Sequence, residues 1–227
     1  MADKLIFLGD STLQYNDETT YPQVGWPQTV YDRFENIEIY NFAKNGKSTK
    51  TFMNLGYFDE ALKVMDENSY VVIEFGHNDE HDYDPETYTQ PYTEYKDNLK
   101  HMVSVCREKG AEVILLTSIY RRWFLEDGSI RMDCHKDYRE AMIEAAEETG
   151  TDLIDMCVLT RDMLIELGDE NSKDLYMYFP ADTYPLYPEG MKDNTHLVYK
   201  GGLKIGNIFI EQLKKNNDQL SKYLKGV

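Results

Sequence analysis

Short apolar runs alternate with longer amphipathic stretches along this chain. In one long stretch, Tyr95, Leu99 and Met102 recur at four- and three-residue spacing, which is typical of one face of an α-helix. Gly110 follows this stretch where a C-terminal helix cap belongs. Because strand-like and helix-like segments alternate repeatedly, the pattern predicts an α/β fold in which helices cover both faces of a parallel sheet.

The segments predict a three-layer α/β/α sandwich around a five-stranded parallel sheet, with the flavodoxin-like strand order 2-1-3-4-5. Two longer segments, His77–Pro91 and Gly168–Thr195, are expected to be loops, which at this length are usually functional or mobile. The predicted strands are Lys4–Leu8, Ile37–Asn41, Tyr70–Phe75, Val113–Thr117 and Leu153–Asp155. The predicted helices are Trp26–Phe34, Phe58–Asp66, Tyr92–Lys109, Cys134–Thr149, Leu159–Leu167 and Lys200–Lys215.

Length and composition narrow the possible functions. The 227 residues fit a single domain, residues 1–227, with a full hydrophobic core. No apolar run reaches the length of a membrane span, and the start, MADK followed by LIFLG, lacks the features of a secretory signal. We therefore expect a cytoplasmic protein, or a secreted one if a signal segment has been removed from the N-terminus. A net charge of −17, from 24 basic and 41 acidic residues, argues against nucleic acid or an anionic membrane as partner. Cys106, Cys134 and Cys157 are widely spaced and are expected to be partly buried free thiols.

Three polar motifs each follow one of the first three predicted strands. GDST (Gly9–Thr12) follows the first, NGKST (Asn45–Thr49) the second and GHND (Gly76–Asp79) the third. A fourth motif, DNTH (Asp193–His196), comes much later in the chain. In an open parallel sheet, ligands bind beyond the carboxyl ends of the strands, where the strand order reverses. The topology therefore predicts that the motifs converge on one crevice.

The motifs contain the groups that a serine hydrolase needs. Ser11 can supply a hydroxyl, His196 a base, and Asp193 a carboxylate that orients the imidazole. The backbone N–H of Ser11, the flexible backbone at Gly46 and the side-chain amide of Asn78 can form an oxyanion hole. Each residue alone has an ordinary structural explanation, such as a turn or a helix cap, so the interpretation rests on their order along the chain.

As an ordered set, the motifs resemble the block pattern of the SGNH hydrolases, also called GDSL-type esterases. The chain is similar to the rhamnogalacturonan acetylesterase branch, because it also has GWP at residues 25–27, RRWF at residues 121–124 and YPLYPEGMKDNTHL at residues 184–197. The resemblance implies hydrolysis of acetyl esters of rhamnogalacturonan- or pectin-type oligosaccharides through an acyl-enzyme, without metal or cofactor. It implies the following roles: Ser11 as nucleophile, Asp193 and His196 as its triad partners, and Ser11, Gly46 and Asn78 as oxyanion donors.

Other catalytic classes lack their motifs in this chain. There is no G-x-S-x-G nucleophile elbow and no H-E-x-x-H zinc signature. His77 and His81 have the spacing of metal ligands on a helix, but this segment follows a strand and enters a Pro- and Tyr-rich stretch, so we expect no metal site. Three alternatives stay open: a broader SGNH esterase or lipase, an acetylxylan esterase, and a catalytically inactive sugar-binding homologue.

Candidate substrate contacts lie in the loops around the predicted crevice. Trp123, Arg121 and His77 are the side chains that we expect to touch the acetylated oligosaccharide. We also hypothesise a basic rim that offsets the overall negative charge when the sugar carries uronate groups. The rim comprises Lys44, Lys47, Lys50, Arg121 and Arg122. Further aromatic candidates among the 18 tyrosines are Tyr83, Tyr88, Tyr184 and Tyr187.

Overall fold

Five parallel strands form the central sheet, and the three middle strands are almost wholly buried because helices cover both faces. The computed structural model describes residues 2–216 and 219–226, with the backbone alone at Lys136. Numbered in chain order together with a second sheet described below, the strands are β1 (Lys4–Gly9), β3 (Glu38–Asn41), β4 (Ser69–Glu74), β5 (Glu112–Leu116) and β6 (Asp152–Ile154). Their spatial order is β3-β1-β4-β5-β6, which confirms the predicted flavodoxin-like order.

Helices pack on both faces of this sheet. In the described residues they are α1 (Thr49–Asn54), α2 (Tyr57–Leu62), α3 (Lys96–Glu108), α4 (Lys136–Thr149), α5 (Met156–Ser172) and α6 (Tyr199–Asn216). Leu5 and Phe7 of β1 point into one hydrophobic cluster with α5 and α6, whereas Ile6 and Leu8 point into another with α1 to α4. The alternation along β1 therefore separates two cores, and the three-layer α/β/α arrangement is confirmed.

Two further findings concern the described helices and the cysteines. None of these helices combines the length and apolar character needed to cross a membrane. The three cysteines are free and buried.

A second, antiparallel sheet of three strands was not predicted. Its strands, in the spatial order β2-β8-β7, are β2 (Gln23–Val24), β8 (Met191–Val198) and β7 (Tyr176–Phe179). The prediction of one loop over Gly168–Thr195 was therefore wrong, and α5 also continues to Ser172 past a non-helical Gly168. β8 lacks the apolar alternation that marks a strand, because most of its residues are polar and only partly buried. The sheet has a functional consequence, since β8 carries the DNTH motif.

The segment after residue 25 also differs from its prediction. Trp26–Phe34 is not an α-helix but two separate 3-10 turns, Trp26–Thr29 and Tyr31–Arg33. Val30 between them has a non-helical backbone (φ −126°, ψ 7°), which ends the first turn. Conversely, the short helix α1 was not predicted, although Ser48 caps its N-terminus by accepting a hydrogen bond from the Thr51 N–H.

Candidate active site

Ser11 lies in a tight turn directly after β1. The carbonyl of Asp10 accepts the N–H of Gln14 at 3.0 Å, which closes the turn. At Gly9, just before the turn, a Cβ atom would lie 2.7 Å from the carbonyl oxygen of Glu74, so only glycine allows β1 and β4 to approach this closely. The turn thus holds Ser11 at the carboxyl end of the central sheet.

His196 and Asp193 reach Ser11 from the second sheet. The Nε2 atom of His196 lies 2.9 Å from Ser11 Oγ, and its Nδ1 atom lies 2.6 Å from Asp193 Oδ2. The other carboxylate oxygen of Asp193 accepts the backbone N–H groups of Thr195 and His196 at 2.7 and 3.0 Å. A carboxylate beside Nδ1 favours the tautomer with its proton there, which leaves Nε2 free to accept the serine proton.

The electrostatic environment keeps Asp193 ionised. Burial alone would raise the pKa of Asp193, but the hydrogen bonds and the charge of His196, with the N–H of Thr195, lower it below its ordinary value. The carboxylate is therefore available to stabilise an imidazolium ion on His196. This arrangement can move a proton from a serine hydroxyl to an imidazole and back.

Arg122 anchors the strand that carries this pair. Its backbone N–H donates to the carbonyl of Asn194 at 2.8 Å, and its guanidinium donates to the Asn194 side chain at 2.6 Å and to Ser172 at 3.1 Å. The same guanidinium forms an ion pair with Asp169, and only 4% of the Arg122 side chain is exposed. Arg122 therefore belongs to the interior, and its assignment to a basic rim was wrong.

The second and third motifs are joined to each other by hydrogen bonds. Gly46 has a left-handed backbone (φ 70°), and Asn78 donates its side-chain amide to the carbonyl of Lys47 at 3.1 Å. The carboxylate of Asp79 accepts the backbone N–H of Thr49 at 3.0 Å and its hydroxyl at 2.6 Å. These bonds fix the loop that contains Gly46 against the loop that contains Asn78.

Arg121, unlike its neighbour, faces the crevice side of the sheet. Its guanidinium pairs with Glu80 at 2.8 Å and donates to His77 Nδ1 at 3.3 Å. The second carboxylate oxygen of Glu80 lies 2.8 Å from His135 Nδ1. Burial alone would lower the pKa of His135, but the Glu80 carboxylate raises it to about 9. Burial, assisted by the charges on His135 and Arg121, holds the pKa of His77 well below its usual value, so His77 is neutral.

Within the part of the chain that the structure describes, three of these residues form a group of possible metal ligands. Ligand atoms of His77, Glu80 and His135 lie within 4.8 Å of one another, and both histidine Nε2 atoms lack a hydrogen-bond partner among the described residues. However, both oxygens of Glu80 are already engaged by cations, and the Arg121 guanidinium lies against two of the three ligands. We interpret the cluster as an ion-pair network. His81, considered from the sequence as a second ligand, is not part of this group.

The proposed substrate contacts differ in their exposure. Trp123 is 42% exposed, and Arg131 lies over one face of its ring at 4.1 Å, so the opposite face is the one left for a sugar. His77 is only 3% exposed and supports Arg121 from behind, so the expected contact between His77 and sugar is not supported. In the basic rim, Lys50 is already engaged by Glu94 at 3.7 Å and by the carbonyl of Pro85 at 3.1 Å. The rim is therefore weaker than the sequence suggests.

Comparisons with known proteins agree with this architecture. Residues 7–197 match the family model of the GDSL-like lipase/acylhydrolase family. The chain belongs to this family. It is 32% identical over 221 residues to rhamnogalacturonan acetylesterase RhgT of Bacillus subtilis, an alignment that covers 96% of this chain and 93% of RhgT. It is 34% identical over 217 residues to the probable rhamnogalacturonan acetylesterase YesY of the same organism, covering 95% and 94%.

A solved structure shows the same fold in a longer protein. The crystal structure of YxiM from Bacillus subtilis superposes with a TM-score of 0.81 at 25% identity and covers 96% of this chain. This chain spans 58% of the YxiM chain in that structure. The family and the fold expected from the four motifs are thus confirmed.

A broad groove lies next to the motifs on the second sheet of this family member. Its volume is about 1110 Å³, and Val198 lines it. Val198 lies two residues after His196 on β8, and Tyr15 and Asn16, which also line the groove, follow the GDST motif closely in the chain. The groove is therefore lined by segments that are adjacent in sequence to Ser11 and His196. Its aromatic lining includes Tyr15, Tyr21, Tyr178, Phe179, Tyr184 and Tyr199.

Sequence reasoning missed two titratable residues that support the site. Glu80, in the loop after β4, links Arg121 to His135, and nothing in the sequence indicates which cations it would meet. Glu74 at the end of β4 is completely buried beneath the GDST turn. The available signal for Glu74 was a single acid closing the otherwise apolar run YVVIE, since a fully buried carboxyl in a central strand needs specific partners.

Proposed function

We propose that this chain is a serine esterase that removes acetyl groups from acetylated plant cell-wall carbohydrate, with rhamnogalacturonan- or pectin-type oligosaccharides as substrates. The observation that carries the proposal is the continuous hydrogen-bonded line from Ser11 Oγ through His196 to Asp193. A sugar-binding module without activity has no use for such a line. The names of RhgT and YesY support the choice of substrate class.

In the proposed cycle, the Ser11 hydroxyl attacks the acetyl carbonyl carbon while His196 Nε2 takes its proton. The N–H groups of Ser11 and Gly46 and the amide of Asn78 stabilise the resulting oxyanion. Collapse of the tetrahedral intermediate breaks the bond to the sugar oxygen, and His196 returns the proton to that oxygen. Water, deprotonated by the same imidazole, then attacks the acetyl-serine ester. The bond from the acetyl carbon to Ser11 Oγ breaks, His196 returns the proton to Oγ, and acetate leaves.

The groove supports a saccharide as the alcohol part of the ester. Tyrosine faces suit the apolar C–H faces of sugar rings, and the groove is lined by several of them beside polar groups such as Asn16, Gln23 and Gln28. Tyr21 is 57% exposed, and the centre of its ring lies 5.6 Å from that of Tyr184. The two rings therefore form one aromatic surface in the groove. In this proposal the acetylated residue lies at Ser11 and its neighbours in the sugar chain occupy the groove.

The decisive experiment compares wild type with Ser11→Ala. The variant should fold normally and lose at least about 10³-fold in kcat, because the nucleophile is gone. Acetate release is measured on acetylated rhamnogalacturonan oligosaccharides, acetylated xylan oligosaccharides and a chain-length series of p-nitrophenyl esters. Ser129→Ala, in an exposed turn, is the matched control and should keep full activity. A fluorophosphonate probe should label wild type but not Ser11→Ala.

The panel also separates the alternatives. Preference for acetylated xylan would assign the chain to acetylxylan esterases, and preference for longer acyl chains would indicate a broader esterase or lipase. Absence of both turnover and labelling would leave the inactive sugar-binding homologue. Near-normal hydrolysis of p-nitrophenyl acetate by Ser11→Ala would overturn the assignment of the nucleophile.

A further inference from the structure

Two carboxyl groups meet below the turn that carries Ser11. Glu74 and Asp10 are both fully buried, and the hydroxyl of Thr12 lies between them. Thr12 Oγ1 is 2.9 Å from Asp10 Oδ1 and 3.1 Å from Glu74 Oε1. The remaining Glu74 oxygen accepts the indole N–H of Trp26 at 3.2 Å, and Oε1 also accepts the N–H of Ile119 at 3.3 Å.

Counting protons across these contacts shows that one carboxyl group must be protonated. The Thr12 hydroxyl has one proton and faces a carboxyl oxygen on each side, so it can donate to only one of them. If both acids were ionised, the other contact would be a buried approach of two oxygen lone pairs, which is costly. A proton on one carboxyl group lets it donate to Thr12 while Thr12 donates to the other.

Glu74 is the acid that carries this proton. Burial raises the pKa of Asp10, but two bonds from Thr12, including its backbone N–H at 2.9 Å from Oδ1, and the charges of His196 and Arg121 favour its ionised form. Burial and then the neighbouring Asp10 carboxylate raise the pKa of Glu74 to about 8. The donation therefore runs from Glu74 to Thr12 and from Thr12 to Asp10.

We propose that Glu74 is a positioning residue for the nucleophile. The proton of its carboxylic acid completes a chain of hydrogen bonds through Thr12 to Asp10, and this chain fixes the turn that carries Ser11. Alkaline pH removes the proton and so breaks the chain. Ionised Glu74 would face ionised Asp10 across a hydroxyl that cannot satisfy both, and the turn would shift. The expected result is a fall in kcat above about pH 8. This inference rests on the proposed function, since it concerns the same hydroxyl.

Other titratable groups surround the pair but do not share its proton. Asp79 is affected by the charge of Asp10. Although burial raises the pKa of Asp79 to about 7, its hydrogen-bond partners among the described residues are donors from Thr49 and Thr89, which suits a carboxylate. Burial and the nearby acids hold the pKa of Tyr95 well above its usual value, so this phenol stays neutral. The charges of His196 and Arg121 also act on Asp10 and favour its ionised form.

The test is the pH dependence of kcat for p-nitrophenyl acetate in Glu74→Gln. Glutamine keeps a permanent donor toward Thr12 and loses only the weak bond that Oε1 accepts from the Ile119 N–H at 3.3 Å, so kcat at about pH 6.5 should stay within about tenfold of wild type. The alkaline fall seen in wild type near pH 8 should move up by at least one pH unit or vanish. Asp79→Asn is the comparison, because it also removes a buried acid, and it should keep the wild-type alkaline limb. The proposal would be overturned if the alkaline fall in kcat were unchanged in Glu74→Gln, or if it moved only in Asp79→Asn.

A second measurement covers the case in which Glu74→Gln does not fold. In Trp123→Phe, Trp26 is the remaining tryptophan, and its indole contacts Glu74. The fluorescence of Trp26 and the rate of Ser11 labelling by a fluorophosphonate should both change with pH, and the two titrations should have the same alkaline midpoint. Different midpoints would contradict the proposed chain of hydrogen bonds. If wild type neither hydrolyses the aryl ester nor reacts with the probe, the proposed function itself fails, whatever the fluorescence shows.

Discussion

At the scale of single residues, the two carboxylate oxygens of Asp193 have different partners. Oδ1 accepts backbone N–H groups from Thr195 and His196 and so fixes the local turn. Oδ2 accepts the imidazole and so fixes its orientation and tautomer. The spacing D-x-x-H is what allows one side chain to do both, because the turn brings Nδ1 back over the carboxylate.

Asp193→Asn should therefore separate geometry from electrostatics. The amide can still accept the backbone N–H groups, but it offers an N–H toward Nδ1 and favours the wrong imidazole tautomer. We expect kcat to fall by about 10³–10⁴-fold with little change in KM, as measured by steady-state kinetics on p-nitrophenyl acetate. Asp127→Asn is a matched control, because Asp127 accepts the N–H of Ser129 in an exposed turn of the same kind. Equal losses in the two variants would contradict a specific role for Asp193.

At the scale of elements, Arg122 connects the segment after β5 to β8. Arg122→Ala would leave the Asn194 side chain and the Asp169 carboxylate without their cation and would open space beside β8. We expect the free energy of unfolding to fall by about 2–4 kcal/mol, measured by urea denaturation, together with a loss of kcat. Arg161→Ala is the control, since within the described part of the chain Arg161 pairs only with its neighbour Asp162 near the surface, and it should change stability by less than about 1 kcal/mol. A stability change no larger than the control's would refute the anchoring role.

The strength of the apolar pattern decides which elements could be predicted. Buried strands are recognisable in the sequence as short apolar runs. The expected strand Tyr70–Phe75, for example, differs from β4 by one residue at each end. The motifs at the strand ends could be placed for the same reason. β8 could not, because it is half exposed and its polar residues are there for chemistry and hydrogen bonds.

Charged neighbours were harder to interpret than the strands. Arg121 and Arg122 are adjacent in sequence, yet one pairs with Glu80 beside the crevice and the other is buried with Asp169. Successive side chains of an extended segment point to opposite sides, so a pair of arginines cannot both line one rim. Which of the two is buried depends on partners that are about 40–50 residues away or more, and no local pattern encodes that.

At the scale of the whole molecule, the net charge of −17 dominates the approach of anionic substrates. Several cations near the site are already paired, as with Arg121 and Glu80. We expect kcat/KM for uronate-bearing acetylated oligosaccharides to rise about two- to fivefold between about 20 and 300 mM NaCl, because salt screens the repulsion. Neutral p-nitrophenyl acetate serves as the control and should show no change. A decrease with salt would instead support an attractive basic rim.

Stability should also depend on pH in a defined direction. Burial and Asp10 raise the pKa of Glu74 from 4.5 to about 8, and Glu80 raises that of His135 from 6.5 to about 9 against the effect of burial. The folded state therefore binds more protons than the unfolded state between these values, so the free energy of unfolding falls as pH rises from about 6.5 to 9. Urea denaturation should show a loss of at least about 1 kcal/mol. His135→Gln should flatten the slope, and a rising slope in wild type would contradict this account.

The distance along the chain between the two ends of the hydrogen-bonded line has a kinetic consequence. Ser11 and His196 are 185 positions apart in the sequence, and β2 pairs with β8 across nearly the same sequence separation. Contacts between such remote segments form slowly, whereas neighbouring strands and helices can assemble early. Recovery of turnover after dilution from denaturant should thus lag behind the return of helical circular dichroism. The length of the lag would measure how long the C-terminal strand takes to pack against the N-terminal part of the fold.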